Sequence, residues 1–74
     1  MKLSELKTGG MGTVTRVAGD ARFVSRVTSI GITVGCPIEV VQNAKKRPIL
    51  VFERDSLIAI GRKDCDLIDV EERR

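Results

Sequence analysis

Apolar and polar residues alternate with a period of two over Met11–Ala18, where Met11, Thr13, Thr15 and Val17 share one side and Val14 and Arg16 the other. That period and the β-branched content predict a strand. Thr8–Gly12, with three glycines in five residues, predicts the turn before it, and Gly19 closes it. The period then lengthens. Phe23, Val27 and Ile30 fall at i, i+4 and i+7, Val24 widens the stripe, and Asp20 stands where an N-cap belongs. Gly31 follows the last apolar position as a left-handed stop, so the segment reads as a helix of about ten residues.

Beyond Cys36, the runs Ile38–Gln42, Pro48–Glu53, Leu57–Gly61 and Leu67–Val70 each carry the branched apolar content of a strand. Asn43–Arg47 and Arg54–Ser56 are polar connections, the second short enough for a hairpin. Near the start, Leu3 and Leu6 flank Ser4 and Glu5 as a short amphipathic segment expected to pack against the sheet. Strands this close in sequence pair antiparallel, and so small a sheet curls on itself to limit its edges. The pattern predicts a mainly β chain: a small SH3-like β-barrel of about five antiparallel strands with one short α-helix inserted after strand one.

Composition narrows the chemistry. Seventy-four residues allow one domain, expected to span residues 1–74, and 42% hydrophobic with 31% charged residues suits a globular chain. The longest apolar run, Pro48–Phe52, is far short of a membrane span, and Met1–Leu6 carries no signal-peptide core. A soluble, cytoplasmic protein without direct membrane insertion is expected. There is no His, Trp or Tyr, and Phe23 and Phe52 are the aromatics. A histidine base, a His-rich metal cage and an aromatic stacking platform are thereby excluded.

With no Ser-His or Cys-His pair available, an enzyme is not expected. Gly9-Gly10-Met11-Gly12 lacks the preceding strand and the Lys-bearing helix of a phosphate loop, and reads as a turn. Cys36 and Cys65 lack the dense framework of secreted domains and are expected as reduced thiols; two thiolates leave a tetrahedral metal site half empty. Asp64, Asp66, Asp69, Glu71 and Glu72 offer oxygen ligands but read first as the solvated carboxylates of a terminal strand. No metal site and no resident cofactor are assigned.

The net charge of +3 divides unevenly: residues 1–63 hold eleven Lys or Arg against five acids, and residues 64–74 two against five. Lys45, Lys46 and Arg47 at a loop tip, with Arg22 and Arg26 on the outer helix face, form a candidate basic patch for phosphates or an acidic protein surface. Plain solvation of the loop is the default for such a run. Protein docking ranks above nucleic acid because stacking aromatics are missing.

The segments Leu3-Ser4-Glu5-Leu6-Lys7-Thr8-Gly9, Gly12-Thr13-Val14, Arg26-Val27-Thr28-Ser29-Ile30-Gly31-Ile32-Thr33-Val34-Gly35 and Ile38-Glu39-Val40-Val41 follow in an order that resembles the FeoA family, ferrous iron transport protein A. The resemblance continues through Ile58-Ala59-Ile60 and Leu67-Ile68-Asp69-Val70. It is densest where Arg26, Gly31 and Gly35 stand at the family's positions. It implies a small cytoplasmic SH3-like protein, similar to the C-terminal domains of metal repressors. Such a protein is accessory or regulatory to a membrane ferrous iron transporter carrying a GTP-binding domain. Where many members have a longer loop with Gly-Asp-Pro before strand three, this chain has Asn43-Ala44-Lys45-Lys46-Arg47-Pro48. The expected role is docking on the cytoplasmic GTP-binding part of that transporter through Arg22, Arg26, Lys45, Lys46 and Arg47. A nucleic-acid-binding barrel and a metal-sensing module that binds a transition metal ion are the alternatives. Homo-oligomerisation and weak or shared iron(II) binding stay open.

Overall fold

The computed structural model describes residues 1–73; Arg74, the last residue of the expected domain, lies outside the described residues. Strand β1 (Met11–Val17) pairs with β2 (Pro37–Gln42) on one side and β5 (Ile68–Arg73) on the other, while β3 (Ile49–Glu53) joins β2 to β4 (Ser56–Ile60). The order is β4-β3-β2-β1-β5 and every pairing is antiparallel. Helix α1 (Ala21–Ser29) follows β1, as the change of period predicted. All five strands contribute buried side chains to one cluster, with Val14, Val40, Val51, Ile60 and Val70 among them. A single sheet whose strands all share one core has to wrap around it.

The alternation expected over Met11–Ala18 does not run its full length. Gly12 and Val14 are buried, but the register against β5 slips between Val14 and Arg16, and Thr15 and Arg16 are both exposed. This is a bulge, which inserts one unpaired residue and turns the strand more sharply. At the helix start, the Phe23 N–H donates to Asp20 Oδ1 at 2.8 Å, the predicted N-cap. The helix ends in a Schellman arrangement: Gly31 N–H donates to Thr28 O and Ile32 N–H to Val27 O, with Gly31 at φ +102°. Phe23 and Val27 are buried, but Ile30 is 44% exposed, and Ile32 takes the core position instead. The left-handed Gly31 bends the chain so that the residue beyond it, not the one before it, meets Val27.

The β3–β4 connection is a two-residue turn. Glu53 pairs with Ser56, and Arg54 and Asp55 both have positive φ, 47° and 65°. That is the turn form that matches strand twist, built here without glycine. After β4 the chain makes a short helix, α2 (Arg62–Cys65), that hydrophobic patterning did not reveal: four residues are too few to show a period. Asp64 therefore lies in α2 and Asp66 caps it, correcting their placement on the terminal strand. Strand β5 in turn extends past Val70 through Glu71 and Glu72 to Arg73.

Leu3, which opens a 3-10 turn (Leu3–Glu5), and Leu6, which follows it, are both fully buried, as their amphipathic spacing predicted. The residues before this turn cover β5. Met1 donates its amino group to Val70 O at 3.0 Å and accepts from Val70 N–H at 2.7 Å, and Lys2 forms a bridge with Asp69.

Candidate functional site

Lys45 and Lys46 sit in the turn between β2 and β3, and the position of that turn is set by Asn43. Its backbone N–H donates to Thr8 Oγ1 at 3.0 Å, and its side-chain Nδ2 donates to Leu6 O at 2.6 Å and Ser4 O at 3.1 Å. Arg62, opening α2, donates through Nη2 to Asn43 Oδ1 and to Ala44 O. One amide side chain thus ties together the N-terminal segment, the basic turn and α2. A charged donor to a half-buried amide is among the stronger hydrogen bonds a small domain makes. The result is an open cleft of about 730 Å³, lined by Lys7, Thr8, Lys45, Lys46 and Arg62 together with Glu5, Leu6 and Asn43. Cations from three segments face one concavity, which concentrates positive potential there.

Arg22 and Arg26 lie elsewhere. They line a smaller cleft of about 270 Å³ with Asp20, Phe23, Asp64 and Leu67. Arg26, on the outer helix face as expected, is nonetheless engaged: its Nη2 is 3.0 Å from Asp64 Oδ2 and its guanidinium lies 5.4 Å from the Phe23 ring centroid. Its charge is matched by Asp64 and its plane covers an aromatic face. Arg22 is exposed on α1, and Arg47 is exposed in the basic turn. The structure therefore places four of the five candidates in two separate clefts, Lys45 and Lys46 in one and Arg22 and Arg26 in the other, and leaves Arg47 exposed on the basic turn outside both. It adds Lys7, Thr8, Asn43 and Arg62 to the basic one.

The thiols are sequestered. Cys36 is 2% exposed and donates through Sγ to Glu53 Oε1 at 3.2 Å, while Arg54 Nε lies 3.1 Å from the same oxygen. Burial, then the hydrogen bond from the thiol to the Glu53 carboxylate, pushes Cys36 up to about 11. Burial pushes Cys65 up to about 12. Both are buried free thiols, and burial favours their protonated form at neutral pH. Gly31 is packed so tightly on this group that a Cβ there would lie 2.7 Å from Glu53 Oε2. Among the described residues, no three His, Cys, Asp or Glu side chains converge as a metal-holding group. What the surface offers is charge, shape and hydrogen-bond donors.

A five-stranded antiparallel sheet wrapped on one core, with a helix after its first strand, defines an SH3-like domain. The zinc complex of FeoA from Stenotrophomonas maltophilia, described as a procaryotic SH3 domain protein, shares the fold at a TM-score of 0.83. It is 21% identical, over 96% of this chain and 89% of that one. The FeoA domain model matches residues 1–72, and the chain belongs to that family. A crystal structure of an iron uptake regulatory protein (FeoA) superposes with a TM-score of 0.94 at 26% identity, covering 99% of this chain and 97% of that one. A fusion of Fe(2+) transport protein A with the Fe(2+) transporter FeoB, from Porphyromonas gingivalis, is 38% identical over 72 residues, 96% of this chain. The chain spans 8% of the length of that relative. FeoA is a family of accessory transport proteins, not of enzymes.

Proposed function

We propose that this domain acts as an accessory protein of ferrous iron uptake in the cytoplasm, docking on the GTP-binding part of a membrane iron(II) transporter. The observation that carries the reading is the fused relative, in which a matching domain and a transporter share one polypeptide. Domains joined in one chain work at high effective concentration, an arrangement suited to a modest docking affinity. No described helix is long and apolar enough to cross a membrane, so contact with the transporter falls to the surface of the domain.

The contact surface in this reading is the basic cleft: Lys45 and Lys46, with Arg47 on the same turn and Lys7 and Arg62 beside them. Arg22 and Arg26 form a second, partly neutralised contact. An acidic surface on the partner is the complement that such a cleft selects, and its effect falls mainly on association rate and salt dependence. Replacing Lys45 and Lys46 by Glu is expected to weaken binding to the transporter's soluble domain about tenfold, with the melting temperature held. Titration calorimetry at two salt concentrations measures this. Unchanged affinity in that double variant contradicts the proposed surface.

A further inference from the structure

We infer that the free edge of β4 pairs with the same strand of a second copy of this chain, forming a symmetric dimer through a continuous sheet. The two ends of the sheet differ in what blunts them. Natural edge strands carry charges, proline, bulges or a covering segment to prevent pairing. β5 carries Asp69, Glu71, Glu72 and Arg73, and the outward N–H and C=O of Val70 are both taken by Met1. β4, Ser-Leu-Ile-Ala-Ile, has no charge, no proline and no register shift against β3. Its one strand neighbour is β3, and Ser56–Ala59 make no backbone hydrogen bond outside that ladder among the described residues.

The hairpin fixes which groups face outward. The pair that closes a two-residue turn, Glu53 and Ser56, is hydrogen-bonded, and bonded pairs alternate with non-bonded ones along an antiparallel ladder. Ile58 therefore bonds to Val51, whereas Leu57 and Ala59, opposite Phe52 and Leu50, turn their N–H and C=O groups to the free edge. A second β4 related by a two-fold axis at Ile58 places Leu57 opposite Ala59 of the other copy, and Ala59 opposite Leu57. Both pairs then exchange their backbone bonds. The side chains fit as well: Leu57, 61% exposed, lies across from a small alanine, so large meets small on both sides of the axis. Phe52, 41% exposed, borders Leu57 and extends the apolar surface onto β3. No charge lies within the two paired strands, whereas the opposite edge carries carboxylates. Two short strands bury much less than the roughly 1,200 Å² of a standard stable interface, so the dimer is weak and concentration-dependent.

The test is amide hydrogen exchange by NMR together with sedimentation velocity, on the whole chain from micromolar to millimolar concentration. Exchange at Leu57 and Ala59 is expected to slow as concentration rises, in step with a shift toward dimer mass, while Ile58 stays protected throughout. Ala59→Lys, at an exposed position, should weaken self-association about tenfold or more without lowering the melting temperature. Ile58→Cys should form a disulfide-linked dimer on mild oxidation, because facing residues at a non-bonded pair lie within bridging range. Leu57→Cys alone should not, because its counterpart is offset by two positions. Buried Cys36 and Cys65 leave that readout clean. Fast, concentration-independent exchange at Leu57 and Ala59 with monomer mass at millimolar concentration overturns the inference. So does protection that appears only when the transporter's soluble domain is added, which would assign the edge to that partner.

Discussion

β5 and β4 end the same sheet, yet one is closed by several independent devices and the other by none. At β5, Met1 takes both outward backbone groups of Val70, and three carboxylates lie along the strand. The covering segment is itself held from behind by the buried side chains of Leu3 and Leu6 and by Asn43, which bonds the carbonyls of Ser4 and Leu6. At β4, a neutral strand leaves Leu57 and Ala59 facing solvent. The contrast teaches that edge protection here is a tertiary property. It is assembled from residues 69 positions apart and has little to do with the β-propensity of either strand.

The strongest way to break the contrast is to release the cover. Leu3→Ala removes a fully buried side chain and should cost about 2–5 kcal/mol. Denaturant unfolding measures the loss, and the Val70 amide should lose its exchange protection in the same variant. A loss below about 1 kcal/mol, with Val70 still protected, would show that the segment is not what closes β5.

A second test acts on α2, which connects β4 to β5 and buries Cys65 completely. The folded-state values of both thiols are raised above the ordinary 9.0, to about 11 for Cys36 and about 12 for Cys65. Their contribution to stability is therefore intact below pH 9 and declines as pH rises toward those values, because the unfolded chain ionises first. By pH 10 the loss should be on the order of 1 kcal/mol for each thiol. Thermal melts at pH 8 and pH 10 should show a lower midpoint at the higher pH, and an unchanged midpoint contradicts the burial argument.

The turn before β4 offers a milder perturbation. Asp55 holds φ +65° in the turn that presents this strand. Asp55→Gly should relieve the left-handed conformation and stabilise the domain by about 0.5–1 kcal/mol, raising the melting temperature by a few degrees. A fall in melting temperature would mean that the Asp55 side chain does more in the turn than its geometry indicates.

Much of this fold was legible in the sequence because its signals are local. Asp20 and Gly31 bracket α1, Arg54-Asp55 marks a hairpin, and the branched apolar runs mark β2 to β4. The parts that were hidden depend on distant partners. The bulge in β1 is defined by its register against β5, and α2 is stabilised by burying Cys65 and by Arg62 reaching Asn43, 19 positions away. The site divided in the same way. Lys45, Lys46 and Arg47 stand out as a run, whereas Lys7 and Arg62 carry no local mark and join the cleft through Asn43. Arg26 looked unengaged on its helix because Asp64, its partner, lies 38 positions further along.

NMR titration of the labelled chain with the transporter's soluble GTP-binding domain decides whether the basic cleft is the docking surface proposed above. The prediction is that amide shifts concentrate at Lys7, Thr8, Asn43, Lys45, Lys46 and Arg62, and that they weaken as salt is raised. Shifts confined to other faces of the domain, or none at a saturating amount of partner, would contradict it.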